Sequence, residues 1–308
     1  MLEAFFLGGR KMNKKNIFSE YHPLVNFSYF SFVILFSCFI GHPVLLFISV
    51  IASFLYSVKL NGSKAVKFNL MFLLPLLVFS AVINPLFNHE GATILTYFKS
   101  GNPLTLESMV YGVSQAFIIV SVIMWFSCFN SVITSDKFIY LFGRIIPSMS
   151  LMLSMALRFI PDIKKRFSEI RNAQAGLLIN EKKGIINKIK NLSKTISILT
   201  TWSLENAVDT ADSMKNRGYG IKGRTSFLIY NFEKRDLISL LLIFAFGIYT
   251  LFGIITKEIS YSYFPYLDVV SGNISVISFY FVYALMCFYP LIIEIREDIR
   301  WKLLKLTT

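Results

Sequence analysis

The sequence predicts an all-α polytopic membrane protein of about six transmembrane helices, with a pair of long cytoplasmic helices inserted after the fourth. Three observations carry that prediction. Hydrophobic residues make up 55% of the 308-residue chain and charged ones only 16%, against roughly 45–50% and 25% in a soluble domain. The apolar residues fall in blocks instead of an even scatter. The positive charge is concentrated: of a net +13, an excess of ten lies in 134–235, where 18 Lys or Arg face 8 Asp or Glu.

The elements follow in order. The first stretch carries Arg10, Lys11, Lys14 and Lys15, and the apolar block that follows, from Phe27, lacks a small-residue cleavage site. It predicts a cytoplasmic N-terminus and a retained first span. A helix needs about 20 apolar residues to cross the hydrocarbon core. Six blocks come close: Phe27–Ile40, Val44–Val58, Phe68–Ile83, Leu106–Phe129, Leu237–Ile255 and Ile274–Ile293. Gly41-His42-Pro43 reads as a tight turn between the first two, which are short.

Loop charge orients the spans, because Lys and Arg collect on the cytoplasmic side. Lys59, Lys64 and Lys67 follow the second block, and Arg296, Arg300, Lys302 and Lys305 follow the last. The loops Asn84–Leu104 and Lys257–Asn273 hold one Lys each, balanced by Glu90 and by Glu258 and Asp268. Both termini are therefore expected in the cytoplasm. The chain divides into 1–133 (four spans), 134–235 (the basic segment) and 236–308 (two spans and a basic tail).

Within the basic segment, Ile163, Phe167, Ile170, Gln174 and Leu177 recur at spacings of 4 and 3, and so do Ile185, Ile189, Leu192, Ile196 and Leu199. Such stripes mark helices that lie against something. Asn180–Gly184 reads as the turn between them and Gly218-Tyr219-Gly220 as the stop of the second. The positive charge fits anionic lipid headgroups or an acidic protein surface. Nucleic acid is not expected, since basic and aromatic residues do not interleave.

No catalytic residue, metal site or cofactor is predicted. Cys38, Cys128 and Cys287 sit singly in apolar blocks, and His22, His42 and His89 lie apart at span edges. The spans are almost free of charge, so paired intramembrane carboxylates are not expected. No G-x-x-x-x-G-K-[ST] loop occurs, so any nucleotide hydrolysis belongs to another subunit. Two local features stand out. Arg158 precedes Pro161 where an apolar run turns basic, a place for a guanidinium to snorkel. Ala207 and Ala211 are small residues four apart, fitted to a close helix crossing, and Arg217 stands at a helix end just before Gly218.

These residues resemble a known family. The run Leu157-Arg158-Phe159-Ile160-Pro161, the pair Ala173-Gln174, the block Asn216-Arg217-Gly218-Tyr219-Gly220 and Gly223–Phe227 are similar to the transmembrane T component (EcfT, CbiQ-like) of energy-coupling factor transporters, ABC-class importers of vitamins and metal ions. The resemblance implies a non-catalytic scaffold in a bacterial plasma membrane. Two coupling helices would form an X-shaped platform, each ending in an Ala-Arg-Gly-like motif whose arginine docks on one of two ATPase subunits. A substrate-binding S component would take the platform's other face. Asn216, Arg217 and Gly218 match the second motif. At the first, the chain reads Gln174-Ala175-Gly176 and the expected arginine is missing, so either Arg171 substitutes from one turn earlier or that contact relies on shape and backbone groups. The rivals are a lipid-modifying membrane enzyme, which would need a His/Asp/Glu cluster, and a stand-alone secondary transporter, which would need charged or broken spans at the midplane.

Overall fold

The computed structural model describes residues 16–97, 103–143, 146–177, 184–221, 230–268 and 272–307. The basic residues 10–15, most of the expected 180–184 turn and the 223–227 run lie outside them. The chain forms two compact units, Met1–Lys137 with Tyr230–Thr308, and Phe138–Ile229.

The first unit is a helical bundle. After a 3₁₀ turn at Ile17–Glu20 come α1 (Pro23–Phe39) and α2 (Pro43–Asn61). Each opens on a proline, whose missing N–H would have been an orphan there anyway. The next span is built from α3 (Ser63–Phe68), a π-helical turn (Asn69–Leu73) and α4 (Leu74–Phe87). A small antiparallel ribbon, β1 (Ile94–Tyr97) with β2 (Pro103–Thr105), leads into α5 (Leu106–Val132). Then α6 (Ser135–Gly143) passes into the second unit, and α9 (Lys234–Ile255) and α10 (Ile274–Thr307) complete the first.

α5 is the central helix, packed against α1, α2 and α4, while α10 meets α2 and α9. At its heart Trp125 is wholly buried, ringed by Tyr29, Phe30 and Tyr56 at centroid distances of 6.2–6.5 Å. Its indole Nε1–H donates to Ser49 Oγ at 3.0 Å. The same oxygen lies 2.9 Å from Ser37 Oγ and 2.7 Å from Ser121 Oγ. One hydroxyl thus ties α1, α2 and α5, the kind of polar link that holds helices together where water is absent. Gly112 lets α5 approach α4: a Cβ there would meet Ala81 O at 3.0 Å and Asn84 Cβ at 2.9 Å.

One end of the bundle is pinned by charge. Asp236 closes a capping box at the start of α9, accepting from Glu233 N–H at 3.2 Å, and also accepts from His22 N–H at 3.3 Å. The Arg235 guanidinium lies 4.3 Å over the Tyr21 ring. Lys137, 6% exposed, donates to the carbonyls of Ser19 and, at 3.1 Å, Val132. Burial pushes its ammonium down to about 8 from the ordinary 10.5, with Glu20 pulling the other way.

Among the described residues, five helices are long and apolar enough to cross a membrane: Pro43–Asn61, Ala65–Phe87, Leu106–Val132, Lys234–Ile255 and Ile274–Leu304. α1 is apolar but has 17 residues, about 26 Å at 1.5 Å per residue against a core of about 30 Å. The chain is an all-α polytopic membrane protein, as its composition predicts. Several boundaries move. The third span is longer than Phe68–Ile83 because the π-helical turn joins α3 to α4 without a break. The basic tail is no appendage, since α10 runs through it to Thr307. The ribbon escapes a reading by periodicity, because its strands are only four and three residues long.

Nor are the buried parts charge-free. Glu107 opens α5 at 2% exposure, accepting from Thr93 N–H at 3.2 Å and from the Thr93 hydroxyl. Glu294 of α10 is 3% exposed, and among the described residues neither of its oxygens has a hydrogen-bond partner. It lies one residue beyond the predicted end of the last apolar block, where a count of charges within the block misses it.

Candidate functional site

The second unit carries α7 (Pro147–Leu177) and α8 (Ile185–Asn216), of 31 and 32 residues. At 1.5 Å per residue each is a rod of about 45–50 Å. α7 continues through Pro161, whose ring leaves the Leu157 carbonyl without its usual helical donor. The proline is exposed, so water can satisfy that carbonyl.

Among the described residues, side chains at two levels join the rods. Phe159 stacks on Trp202 with centroids 5.6 Å apart and planes 6° from parallel, and the Arg166 guanidinium lies 5.5 Å from the same indole. Such stacking contributes about 0.5–1.5 kcal/mol beyond burial. Toward the far end, Thr195 Oγ1 donates to Gln174 Oε1 at 2.8 Å. Partner positions rise along α7 as they fall along α8, so the two helices run antiparallel.

The α8 stripe predicted to face a partner does not face α7. Ile185, Ile189, Leu192 and Ile196 are 50–78% exposed, and only Leu199, the last of the stripe, is half-buried. α8 instead meets α7 through Thr195, which is buried, and Trp202, which is half-buried. Aliphatic periodicity marks a face that avoids water without saying what covers it. Here a hydroxyl, an amide and a ring pair form the contact. On α7, Ile163, Phe167, Ile170 and Gln174 are half-buried.

Beyond Trp202 the helices line a groove of about 790 Å³. It gathers four of the residues singled out in the sequence: Arg158 from α7, with Ala207, Ala211 and Arg217 from α8. Asp162 and Asp209 line it as well. These carboxylates carry no motif, and only the fold reveals them as neighbours of the two arginines. Gln174, bonded to Thr195, is not a lining residue of this groove, and Ala175 and Gly176 stand exposed on the last turn of α7.

The end of α8 explains why glycine follows Arg217. Gly218 N–H donates to Lys215 O at 2.9 Å and Tyr219 N–H to Met214 O at 3.0 Å. This is a Schellman closure, which requires a left-handed residue just past the helix. Gly218 supplies it at φ +76°. Arg217 is the C-cap, with Asn216 the last helical residue, so its cation complements the negative end of the helix dipole. Chemically the groove offers two exposed guanidiniums among acidic and small residues. That suits charge-assisted docking of carboxylates or carbonyls. Among the described residues, no group of three or more His, Cys, Asp or Glu is placed to hold a metal ion.

Comparison with known proteins bears on the same region. The sequence pattern of the CbiQ family, described as cobalt transport protein, matches residues 14–227. The energy-coupling factor transporter transmembrane protein EcfT of Lactobacillus helveticus is 38% identical over 98 residues, 31% of this chain and 35% of that protein. Its namesake in Streptococcus thermophilus is 33% identical over 102 residues, 32% and 39% of the two chains. That in Lactococcus lactis is 33% identical over 114 residues, 36% and 42%. The matches therefore span well under half the length of these relatives.

Proposed function

The chain belongs to the CbiQ cobalt transport protein family, and from that premise we propose that it is the transmembrane coupling subunit, the T component, of an energy-coupling factor importer. It docks two ABC-type ATPase subunits through the α7–α8 hairpin. It passes their ATP-driven movement to a substrate-binding S component that takes up a vitamin or a metal ion. The subunit lies in a bacterial plasma membrane with both termini in the cytoplasm, and its basic hairpin faces anionic headgroups and acidic partner surfaces.

The observation that carries this proposal is Arg217 as the C-cap of a 32-residue helix, fixed by the Gly218 closure and lining one groove with Arg158. A long helix carries displacement, and an arginine fork at its end makes a directional, charge-assisted anchor. Asn216 and Gly218 frame that anchor. Gln174, Ala175 and Gly176 occupy the corresponding end of α7, where contact with the second ATPase rests on small residues and backbone groups. Pro161 marks the junction from which α7 leaves its apolar half, and Ala207 and Ala211 leave room for close approach along the groove. The names of the relatives support the same assignment.

The test is co-purification followed by uptake. The tagged full-length chain is expected to bring down two ABC-type ATPases, and Arg217→Glu to leave expression intact while uncoupling ATP hydrolysis from uptake. Recovery of the chain from native membranes without any ATPase, or unchanged uptake by Arg217→Glu, would refute the assignment.

A further inference from the structure

The chain leaves the first unit after Lys137 and re-enters it at Tyr230. Both of these ends are fastened to one short stretch, residues 18–26. At the departing end the Lys137 ammonium donates to Ser19 O. In the amide orientation that satisfies both of its groups, Asn26 accepts from the same ammonium at 3.1 Å and donates to Phe18 O at 2.9 Å. At the returning end Asp236 accepts from His22 N–H at 3.3 Å. The Phe232 ring stands edge-on to the His22 ring at 5.0 Å, and the Arg235 guanidinium lies over Tyr21.

The local backbone explains why this stretch can hold both ends. Between the 3₁₀ turn and α1 the chain is extended at Tyr21 (ψ 157°) and His22 (ψ 137°), which leaves Ser19 O and His22 N–H outside both helical ladders. Backbone groups shut away from water need partners, and Lys137 and Asp236 supply them, one from each end. The stretch is also rooted in the core. Phe18 is wholly buried, with the rings of Tyr29, Phe30 and Tyr289 at centroid distances of 5.3–6.5 Å. Those rings belong to α1 and α10, and a close-packed interior transmits strain.

Two chain ends with a common anchor do not move independently. We propose that residues 18–26 form the joint through which movement of the α7–α8 hairpin enters the bundle, with Lys137 and Asp236 as the positioning residues that hold the two ends on it. The role in transport rests on the coupling-subunit reading; the shared anchoring does not. Asp136 of α6 also lies near Tyr230, so a direct link between the ends has to be separated from the joint.

Hydrogen exchange on the purified full-length chain makes that separation, because it reads local opening segment by segment. Lys137→Met is expected to speed exchange several-fold at 19–26 and also at 232–237, the end it does not hold. Asp236→Ala is expected to do the same at 19–26 and at 133–140, and it reads the joint from the other side should Lys137→Met fail to fold. Asp136→Asn is expected to leave 232–237 unchanged. Effects confined to the mutated end, or reproduced by Asp136→Asn, overturn the proposal. In the complex with its ATPases and S component, Lys137→Met and Asp236→Ala are expected to keep ATP hydrolysis and to lower uptake per ATP several-fold. Gly112→Ala, which disturbs the α4–α5 packing instead, is expected to leave that ratio alone. A complex that forms, hydrolyses ATP and keeps its uptake ratio in both variants refutes the joint, whereas a wild type that recruits no ATPase refutes the coupling-subunit reading and with it the joint's role in transport.

Discussion

Thr195 Oγ1 donates to Gln174 Oε1 at 2.8 Å, so the one polar side chain of the Gln174-Ala175-Gly176 run is bonded to α8 while Ala175 and Gly176 stand exposed. The bond is made by a side chain 3% exposed. Thr195→Val is expected to leave Gln174 with an unmet acceptor and to cost about 1 kcal/mol of hairpin stability. Hydrogen exchange along 163–177 and 187–203 reads this directly. Adding Gln174→Leu should cost less than the sum of the two single changes, because both remove the same bond.

Gly218 is held at φ +76° by the closure of α8. A β-branched side chain is strained there by roughly 1–2 kcal/mol. Gly218→Val is expected to fray the last turn, seen as faster exchange at 213–219, and to reduce uptake in parallel with Arg217→Glu. Gly218→Asn, which tolerates this conformation, should fall between Gly218→Val and the wild type.

Gly112 sets the distance between α4 and α5. Gly112→Leu would drive its side chain into the Ala81 carbonyl and Asn84, whose atoms stand 3.0 and 2.9 Å from where a Cβ would sit. Overpacking of this kind costs about 1–3 kcal/mol. A lower melting temperature of the detergent-solubilised chain is the expected outcome, with Gly112→Ala affected less.

Lys137 predicts a pH dependence. Its folded-state pKa is pushed down to about 8 from 10.5, so between those values the folded chain holds fewer protons than the unfolded one. Stability therefore rises with pH across that window, by at most about 3 kcal/mol. The penalty is present in full below pH 8. Thermal unfolding of the wild type against Lys137→Met should show the wild type gaining from pH 8 to 10 and the variant not. Equal slopes would count against this account of Lys137.

Much of the fold is legible because lipid imposes long, blunt signals. A span needs many consecutive apolar residues, and Leu106–Val132 or Ile274–Leu304 announces itself by composition. The stop of α8 is legible too, since a glycine's conformational freedom is a local property. What sequence does not show depends on distant pairs. Trp202 meets Phe159, and Asp162 and Asp209 join Arg158 and Arg217, only because the hairpin folds back. Glu294 stands next to an apolar block among the charges of α10, where nothing local distinguishes it from an exposed residue. The exposed aliphatic stripe of α8 shows the reverse failure: its periodicity can be read from the sequence and its neighbour cannot.

Ser49 carries a consequence for how this protein can change over time. Its oxygen serves Ser37, Ser121 and Trp125 at once, so a lineage that loses Ser49 takes one partner from three groups on two neighbouring helices in one step. Replacement is easier when concerted: a wholly aliphatic junction removes these polar groups together, whereas a single change leaves their former partners behind. The serines at 37, 49 and 121 should therefore drift as a set, whereas the lipid-facing residues a turn away drift one by one.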